Sequence, residues 1–191
     1  DGFRNNTSLI IDRQFAFINP KIGVTYAKNG WQSYLSFALA NKEPNRNDFE
    51  AGNLNQPKHE TLHNIEMGVE KRTKIYFVAA NVYGMFYKNQ LVNNGKINDV
   101  GAYTRTNVDN SYRMGVELQA SYQFAKKLNF TANLTLSKHK IVSYSEFIDN
   151  YDLNIQVSKE YKNPNISLSP NIVANFSINY NPISEVELSL L

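Results

Sequence analysis

Residues 111–124 read Ser-Tyr-Arg-Met-Gly-Val-Glu-Leu-Gln-Ala-Ser-Tyr-Gln-Phe. Tyr112, Met114, Val116, Leu118, Ala120, Tyr122 and Phe124 form one series; Arg113, Gly115, Glu117, Gln119, Ser121 and Gln123 form the other. A strand sends successive side chains to opposite faces. This run therefore has one apolar face and one polar face. It is also long, since a globular strand typically has about 5–6 residues. A long two-faced strand suits a wall with hydrocarbon on one side and water on the other.

The pattern recurs along the chain. Ile22, Val24 and Tyr26 precede an Asn29-Gly30 turn, and Trp31, Leu35, Phe37 and Leu39 follow it. Ile65, Met67 and Val69 oppose Glu66, Gly68 and Glu70. Tyr76, Val78, Ala80, Val82 and Phe86 share one side of the next strand, whose other side is mixed. Leu128, Phe130, Ala132, Leu134 and Leu136 alternate with Asn and Thr, as do Ile172, Ala174, Phe176, Ile178 and Tyr180 with Val173, Asn175, Ser177 and Asn179. The spacing predicts about eight strands, at 14–28, 31–42, 62–72, 75–92, 103–124, 127–145, 165–180 and 185–191.

Charge separates the two faces. Across the strand cores the apolar series carries only Lys71, next to a turn, whereas the polar series carries Lys21, Glu66, Glu70, Arg113, Glu117, Glu185 and Glu187. A charge facing lipid at mid-depth costs about 2–4 kcal/mol in a barrel, and a watery lumen imposes no such cost. A soluble antiparallel sheet alternates too, so the connections decide. Short ones are expected near 29–30, 72–74, 125–127 and 181–184, and long polar ones near 43–61, 93–111 and 146–165. Short turns on one rim and long loops on the other are the plan of an outer-membrane barrel. The aromatics Tyr26, Trp31, Tyr76, Tyr122, Phe124 and Tyr180 cluster near the short turns, as an interfacial girdle would.

Composition narrows the function classes. The 191 residues suit one domain. No apolar run reaches the ~18 residues that a membrane helix needs. Absent cysteines exclude disulfides and thiolate metal sites. The net charge of +3 is spread out, with no basic stripe for nucleic acid. His59 and His63 stand four apart, but Pro57 argues against a helix that would aim both at a metal. Ser137 and His139 lack the surrounding motif of a hydrolase. No cofactor and no catalytic activity are expected.

Three stretches then take on meaning together. Asn41-Lys42-Glu43-Pro44-Asn45-Arg46-Asn47-Asp48-Phe49 sits at a strand end entering a loop, with Lys42 where Arg is commoner. Pro57-Lys58-His59-Glu60-Thr61-Leu62-His63-Asn64-Ile65-Glu66-Met67-Gly68 opens the return strand. Gly101-Ala102-Tyr103-Thr104-Arg105-Thr106-Asn107-Val108 leads into Arg113-Met114-Gly115-Val116-Glu117. In order and spacing these resemble TonB-dependent outer-membrane receptors, especially those of Bacteroidetes-type bacteria. The resemblance covers most of the chain. It implies an all-β, antiparallel transmembrane β-barrel segment of about eight strands within a larger barrel, of about 22 strands with a plugged lumen. The plug, the segment that touches TonB and the last strands would lie outside this stretch, so residues 1–191 form one partial barrel domain. It implies residence in the bacterial outer membrane, with membrane lipid, the receptor's own plug and the TonB complex as partners. The activity implied is active import of a scarce bulky nutrient, such as an iron chelate, haem, cobalamin or a glycan. A porin-like or self-contained small barrel is the alternative.

The face assignment directs Glu66, Glu70, Arg113, Gly115 and Glu117 to the lumen, against the plug or the transport path. Pairing among the charged ones across strands would instead stabilise the wall, at about 0.2–1 kcal/mol per pair. At the outer rim, Glu43, Arg46, Asp48, Tyr103, Arg105 and Tyr151 are candidates for ligand contact. Local ion pairing that orders the loop is the other reading for Glu43, Arg46 and Asp48.

Overall fold

The structure, a computed structural model, describes residues 13–51, 56–97, 103–153 and 155–190. Among the described residues ten strands run in sequence: β1 Lys21–Lys28, β2 Trp31–Lys42, β3 Glu60–Arg72, β4 Tyr76–Ile97, β5 Tyr103–Ala125, β6 Leu128–Ile141, β7 Ser143–Asn150, β8 Ile155–Lys162, β9 Ile172–Ile183 and β10 Val186–Leu190. Eight of them form an antiparallel meander ordered β1-β2-β3-β4-β5-β6-β9-β10, and β7 pairs only with β8. Among the described residues no helix is long and apolar enough to cross a membrane, which says nothing about a barrel.

Local chemistry fixes the hairpins. Asn29 and Gly30 both take positive φ, 51° and 75°. That is the type I′ geometry an Asn-Gly pair adopts, and it twists with the strands it joins. A Cβ on Gly30 would lie 2.5 Å from the Arg72 carbonyl, while the Arg72 N–H donates to the Gly30 carbonyl at 2.8 Å. The turn thus sets the β2–β3 register as well as its own. Thr73 caps the next turn, with its hydroxyl accepting from the Tyr76 N–H at 3.0 Å.

The register stacks like residues into rows. Val24, Leu35, Met67, Val82, Val116, Leu136 and Ile172 form one continuous outward row. Tyr34, Gly68, Asn81, Glu117 and Thr135 form the inward row beside it. Exposure is inverted relative to a water-soluble protein. Leu35 is 50% exposed, Met67 53%, Leu118 42% and Phe176 64%. Their polar neighbours Tyr34, Glu66 and Glu117 are half-buried. On a curved sheet, concave-side chains crowd together and convex-side chains spread apart. The polar series therefore lines the concave side and the apolar series coats the convex side. A contiguous apolar surface of this size needs a covering phase.

Its height fits a bilayer. Tyr76 pairs with Tyr122 and Phe86 with Tyr112, so aromatics bound the band at both ends. The ten steps between them span about 33 Å of strand at ~3.3 Å per residue. A tilt of ~45° reduces that to about 23 Å, close to the ~25 Å apolar band of outer-membrane barrels. Lys71, a charge on the convex face beside the turn rim, snorkels: its Nζ donates to the Asn29 carbonyl at 2.6 Å and lies 5.2 Å from the Trp31 ring centroid.

The structure revises several expected boundaries. Residues 13–20 are described but unpaired as a strand, and β1 begins after Pro20, whose missing N–H interrupts a ladder. The expected loop at 93–111 is mostly strand. Asn93-Asn94-Gly95 reads as a turn, yet β4 continues through it to Ile97, with Gly95 at φ 81°. Residues 98–102 lie outside the described set, as does Leu191 of the expected last strand. The expected strand at 127–145 divides into β6 and β7, and the expected loop at 146–165 holds most of the β7–β8 hairpin. β9 starts at Ile172 rather than 165 and runs to Ile183.

Candidate functional site

Two surfaces gather the functional candidates: the concave wall and the loop-side rim. On the wall, the Tyr34 hydroxyl donates to Asn81 Oδ1 at 2.8 Å, and Asn81 Nδ2 donates to Glu117 Oε2 at 3.2 Å. The chain of bonds crosses three strand pairs because Gly68 stands between Tyr34 and Asn81 in the same row. A Cβ on Gly68 would meet the Tyr34 ring at 2.5 Å. Gly115 does the same for Tyr83: a Cβ there would lie 2.8 Å from the Tyr83 hydroxyl and 2.8 Å from the Leu136 carbonyl. Each tyrosine lies flat over a glycine, and the wall stays smooth. Neither tyrosine was singled out in the sequence, though both stand opposite a glycine once the hairpins are put in register.

Glu66 and Glu117 take neutral partners rather than a charged one. Glu66 accepts from Asn64 Nδ2 at 2.7 Å, and Glu117 takes Asn81. Glu70 reaches only Arg72, at 4.0 Å and exposed, which contributes little. Arg113 faces His139 across β5–β6, and neither Arg113 Nε nor His139 Nδ1 has a hydrogen-bond partner. The cross-strand pairing considered for Arg113, Glu66 and Glu117 is thus absent among the described residues. A depression in the wall is lined by Gln32, Tyr34, Glu70, Asn81, Glu117 and Gln119.

The histidines have other work. His59 packs on Phe17 with centroids 5.1 Å apart, and His63 lies 6.3 Å from Phe37. No group of metal-binding side chains occurs among the described residues. Ser137 Oγ and His139 Nε2 are 2.8 Å apart, but Ser137 also meets the Pro170 carbonyl at 3.1 Å. With no carboxylate on His139 Nδ1, nothing orients the ring as a base.

The rim is a small packed body. Phe49, Leu91, Val108 and Ile141 are its buried apolar residues, accompanied by buried Asp48, Asn94 and Ser111. Asp48 is 2% exposed and takes both Arg105 bonds, Nε to Oδ1 and Nη2 to Oδ2, each 2.7 Å. It also accepts from the Asn45 N–H at 2.7 Å, while Asn45 Oδ1 accepts from the Asp48 N–H at 3.1 Å. The short 3-10 helix at Arg46–Ala51 is held to β5 in this way. Of the rim candidates, the structure brings Asp48 and Arg105 together. Arg46 and Glu43 are exposed, Tyr103 begins β5 opposite Ile97, and Tyr151 projects, 89% exposed, from the β7–β8 turn. That hairpin is seated on β4 by Gln156, whose Nε2 donates to the Gly95 carbonyl at 2.8 Å, and by the Tyr144 hydroxyl on the Asn93 carbonyl at 3.0 Å. Burial and the Glu146 carboxylate hold the Tyr144 hydroxyl above its ordinary pKa of 10.0.

Comparison with known proteins agrees with this architecture. No curated protein sequence matches the chain. A variant of the ferric enterobactin receptor PfeA of Pseudomonas aeruginosa is similar in structure, at TM-score 0.60 and 19% identity, over 90% of this chain and 26% of that one. The ferric-catecholate import receptor Fiu of Escherichia coli K12 gives 0.59 and 16%, over 88% and 23%. The FrpB iron transporter of Neisseria meningitidis gives 0.53 and 16%, over 86% and 32%. At these identities the likeness speaks for the fold. The chain spans about a quarter to a third of the length of these structures. The family model described as TonB dependent receptor-like, beta-barrel, matches residues 1–187, and the chain belongs to that outer-membrane receptor family as part of its barrel wall.

Proposed function

We propose that this chain is one sector of the wall of an outer-membrane importer. The importer takes up a scarce bulky nutrient with energy transmitted by TonB. The observation carrying the proposal is the inverted exposure of the meander, with its apolar band about 23 Å high. Family membership supports the import role, and the transport receptors of similar fold point the same way. In this reading the wall is completed by further strands, and a plug fills the lumen. Glu66, Glu70, Arg113 and Glu117 have unspent hydrogen-bonding capacity on the concave face, where a plug would meet them. Gly68 and Gly115, with their tyrosines, keep that face flat enough for close approach. The role is transport rather than catalysis. A Bacteroidetes-type origin rests on the motifs at 41–49, 57–68 and 101–117 alone.

The test is a growth assay. A strain lacking the whole gene is supplied with ferric chelates, haem, cobalamin or glycans as limiting nutrient, with and without TonB. Failure on one nutrient, reproduced by loss of TonB, is expected. Undiminished growth on all, or uptake that ignores TonB, would favour a passive barrel.

A further inference from the structure

Cations crowd the rim that carries the short turns. Within two residues of the first three of these turns stand Lys28, Lys71, Arg72, Lys74, Lys126 and Lys127, and no carboxylate. Arg72 turns to the concave side, with its Cζ 4.3 Å from the Phe77 ring centroid and its Nε 4.0 Å from Glu70. Backbone bonds of 2.8 Å lace successive turns together: the Arg72 N–H to the Gly30 carbonyl, the Gln123 N–H to the Ile75 carbonyl and the Asn181 N–H to the Lys127 carbonyl. The rim thus holds its charges on a fixed frame.

Two of these cations share a row with an indole. Lys28 pairs with Trp31 and Trp31 with Lys71, all on the convex face. At ~4.8 Å per strand the lysine positions flank Trp31 about 10 Å apart. Lys71 gives one N–H to the Asn29 carbonyl, which fixes its ammonium beside the ring and leaves two donors for another acceptor. Lys28 joins no ion pair among the described residues. A second feature lies one step deeper. Ser33, between Tyr26 and Val69, interrupts the apolar series that continues as Leu35, Phe37 and Leu39. A hydroxyl turned towards hydrocarbon needs a partner. It sits two residues in from the lysine row, about 5 Å in depth at ~45° tilt.

We propose that Lys28, Trp31, Ser33 and Lys71 form a binding site for one anionic phospholipid of the periplasmic leaflet. The two ammonium groups meet its phosphate, Ser33 donates to an ester carbonyl, and Trp31 packs between them at the interface. Ammonium groups are compact point charges suited to phosphate. A headgroup with no ammonium of its own leaves the phosphate charge uncancelled, so phosphatidylglycerol is preferred to phosphatidylethanolamine. Depth selects a lipid over a soluble phosphate ester. The Asn29-Gly30 turn adds only two residues beyond the row, which keeps the row within the headgroup layer, ~5–8 Å thick. The site rests on the membrane reading above, which sets the short turns at the periplasmic side.

The experiment uses the full-length receptor extracted from outer membranes in mild detergent, with bound molecules read by native mass spectrometry. The probes are phosphatidylglycerol, phosphatidylethanolamine and glycerol 3-phosphate. Wild type should retain the first over the other two. The Lys28→Gln/Lys71→Gln protein should bind it about 25-fold more weakly, from about fivefold per lysine. Ser33→Ala should weaken it about two- to tenfold. Lys88→Gln/Lys140→Gln, on the opposite rim, should bind as wild type does. Should the double variant at 28 and 71 fail to assemble, Lys28→Gln alone should weaken binding about fivefold, and Lys28→Arg/Lys71→Arg should retain it. Equal retention of the two phospholipids by wild type, equal binding by wild type and the glutamine variants, or glycerol 3-phosphate binding as tightly as the lipid overturns the site while leaving the membrane reading intact. A wild-type receptor missing from the outer membrane overturns both.

Discussion

Leu118→Arg sets the two faces of β5 against each other. The apolar band on this strand runs from Tyr112 to Tyr122, so its midpoint falls at residue 117. Leu118 is one residue away, about 2–3 Å from the midplane along the membrane normal at ~45° tilt. The side chain is 42% exposed, so arginine would fit without overpacking, and its charge would face hydrocarbon. The cost at this depth is about 2–4 kcal/mol. That is roughly 30- to 800-fold in the folding equilibrium within the membrane. Gln119→Arg, one residue on, points into the lumen and should cost below about 1 kcal/mol. Tyr122→Arg, near the interface, should also cost about 0–1 kcal/mol by charge alone. Denaturant titration of the full receptor in lipid vesicles, with heat-modified gel mobility as readout, measures all three. A Gln119→Arg penalty equal to that of Leu118→Arg would show that the faces are wrongly assigned. So would the lack of a depth difference between positions 118 and 122.

Asp48→Asn should release the 3-10 turn from β5. The loss is about 2–3 kcal/mol, less than the ~3–5 of a fully buried pair because Arg105 is partly solvated. Limited proteolysis should then cut within 43–59, and unchanged resistance would contradict the latch. Gly68→Ala and Gly115→Ala should each destabilise by about 1–3 kcal/mol. Tyr34→Ser should rescue the first, whose clash is with the tyrosine ring alone, whereas Tyr83→Ser should leave the second impaired, because the Leu136 carbonyl cannot move aside. Tyr144 should make the β7–β8 hairpin alkali-sensitive. Its folded pKa is raised, so its contribution is complete below the ordinary value of 10.0 and lost as pH rises through the folded value. Hydrogen exchange of the hairpin should fall in protection over that window, and Tyr144→Phe should abolish the dependence.

The meander was legible because a period of two is strong wherever one face meets oil. Residues 111–124 fixed both faces of β5, and Asn29-Gly30 fixed a register that propagates through Arg72. The β7–β8 hairpin was hidden for a physical reason. Tyr144, Glu146, Ile148 and Asn150 mix polarity on one face, and the turn beginning at Tyr151 lacks Gly or Pro. A strand above the membrane has no oil to impose a pattern. The continuation of β4 past residue 92 was hidden at Asn93-Asn94-Gly95, because a bulge uses the same left-handed backbone as a turn. Asp48 and Arg105 were each visible as candidates, but they are 57 residues apart and only the fold brings them together. The same holds for the tyrosines over Gly68 and Gly115.

The most direct measurement is a nitroxide scan of β5 in the assembled receptor. Single labels at positions 112–122 would be exposed to oxygen, which concentrates in lipid, and to a water-soluble nickel chelate. Oxygen should dominate at the even positions, with its maximum at 116 and 118, and should lose its advantage at each odd position. Uniform accessibility, or oxygen favouring 113, 115, 117 and 119, would contradict a wall whose apolar side faces lipid.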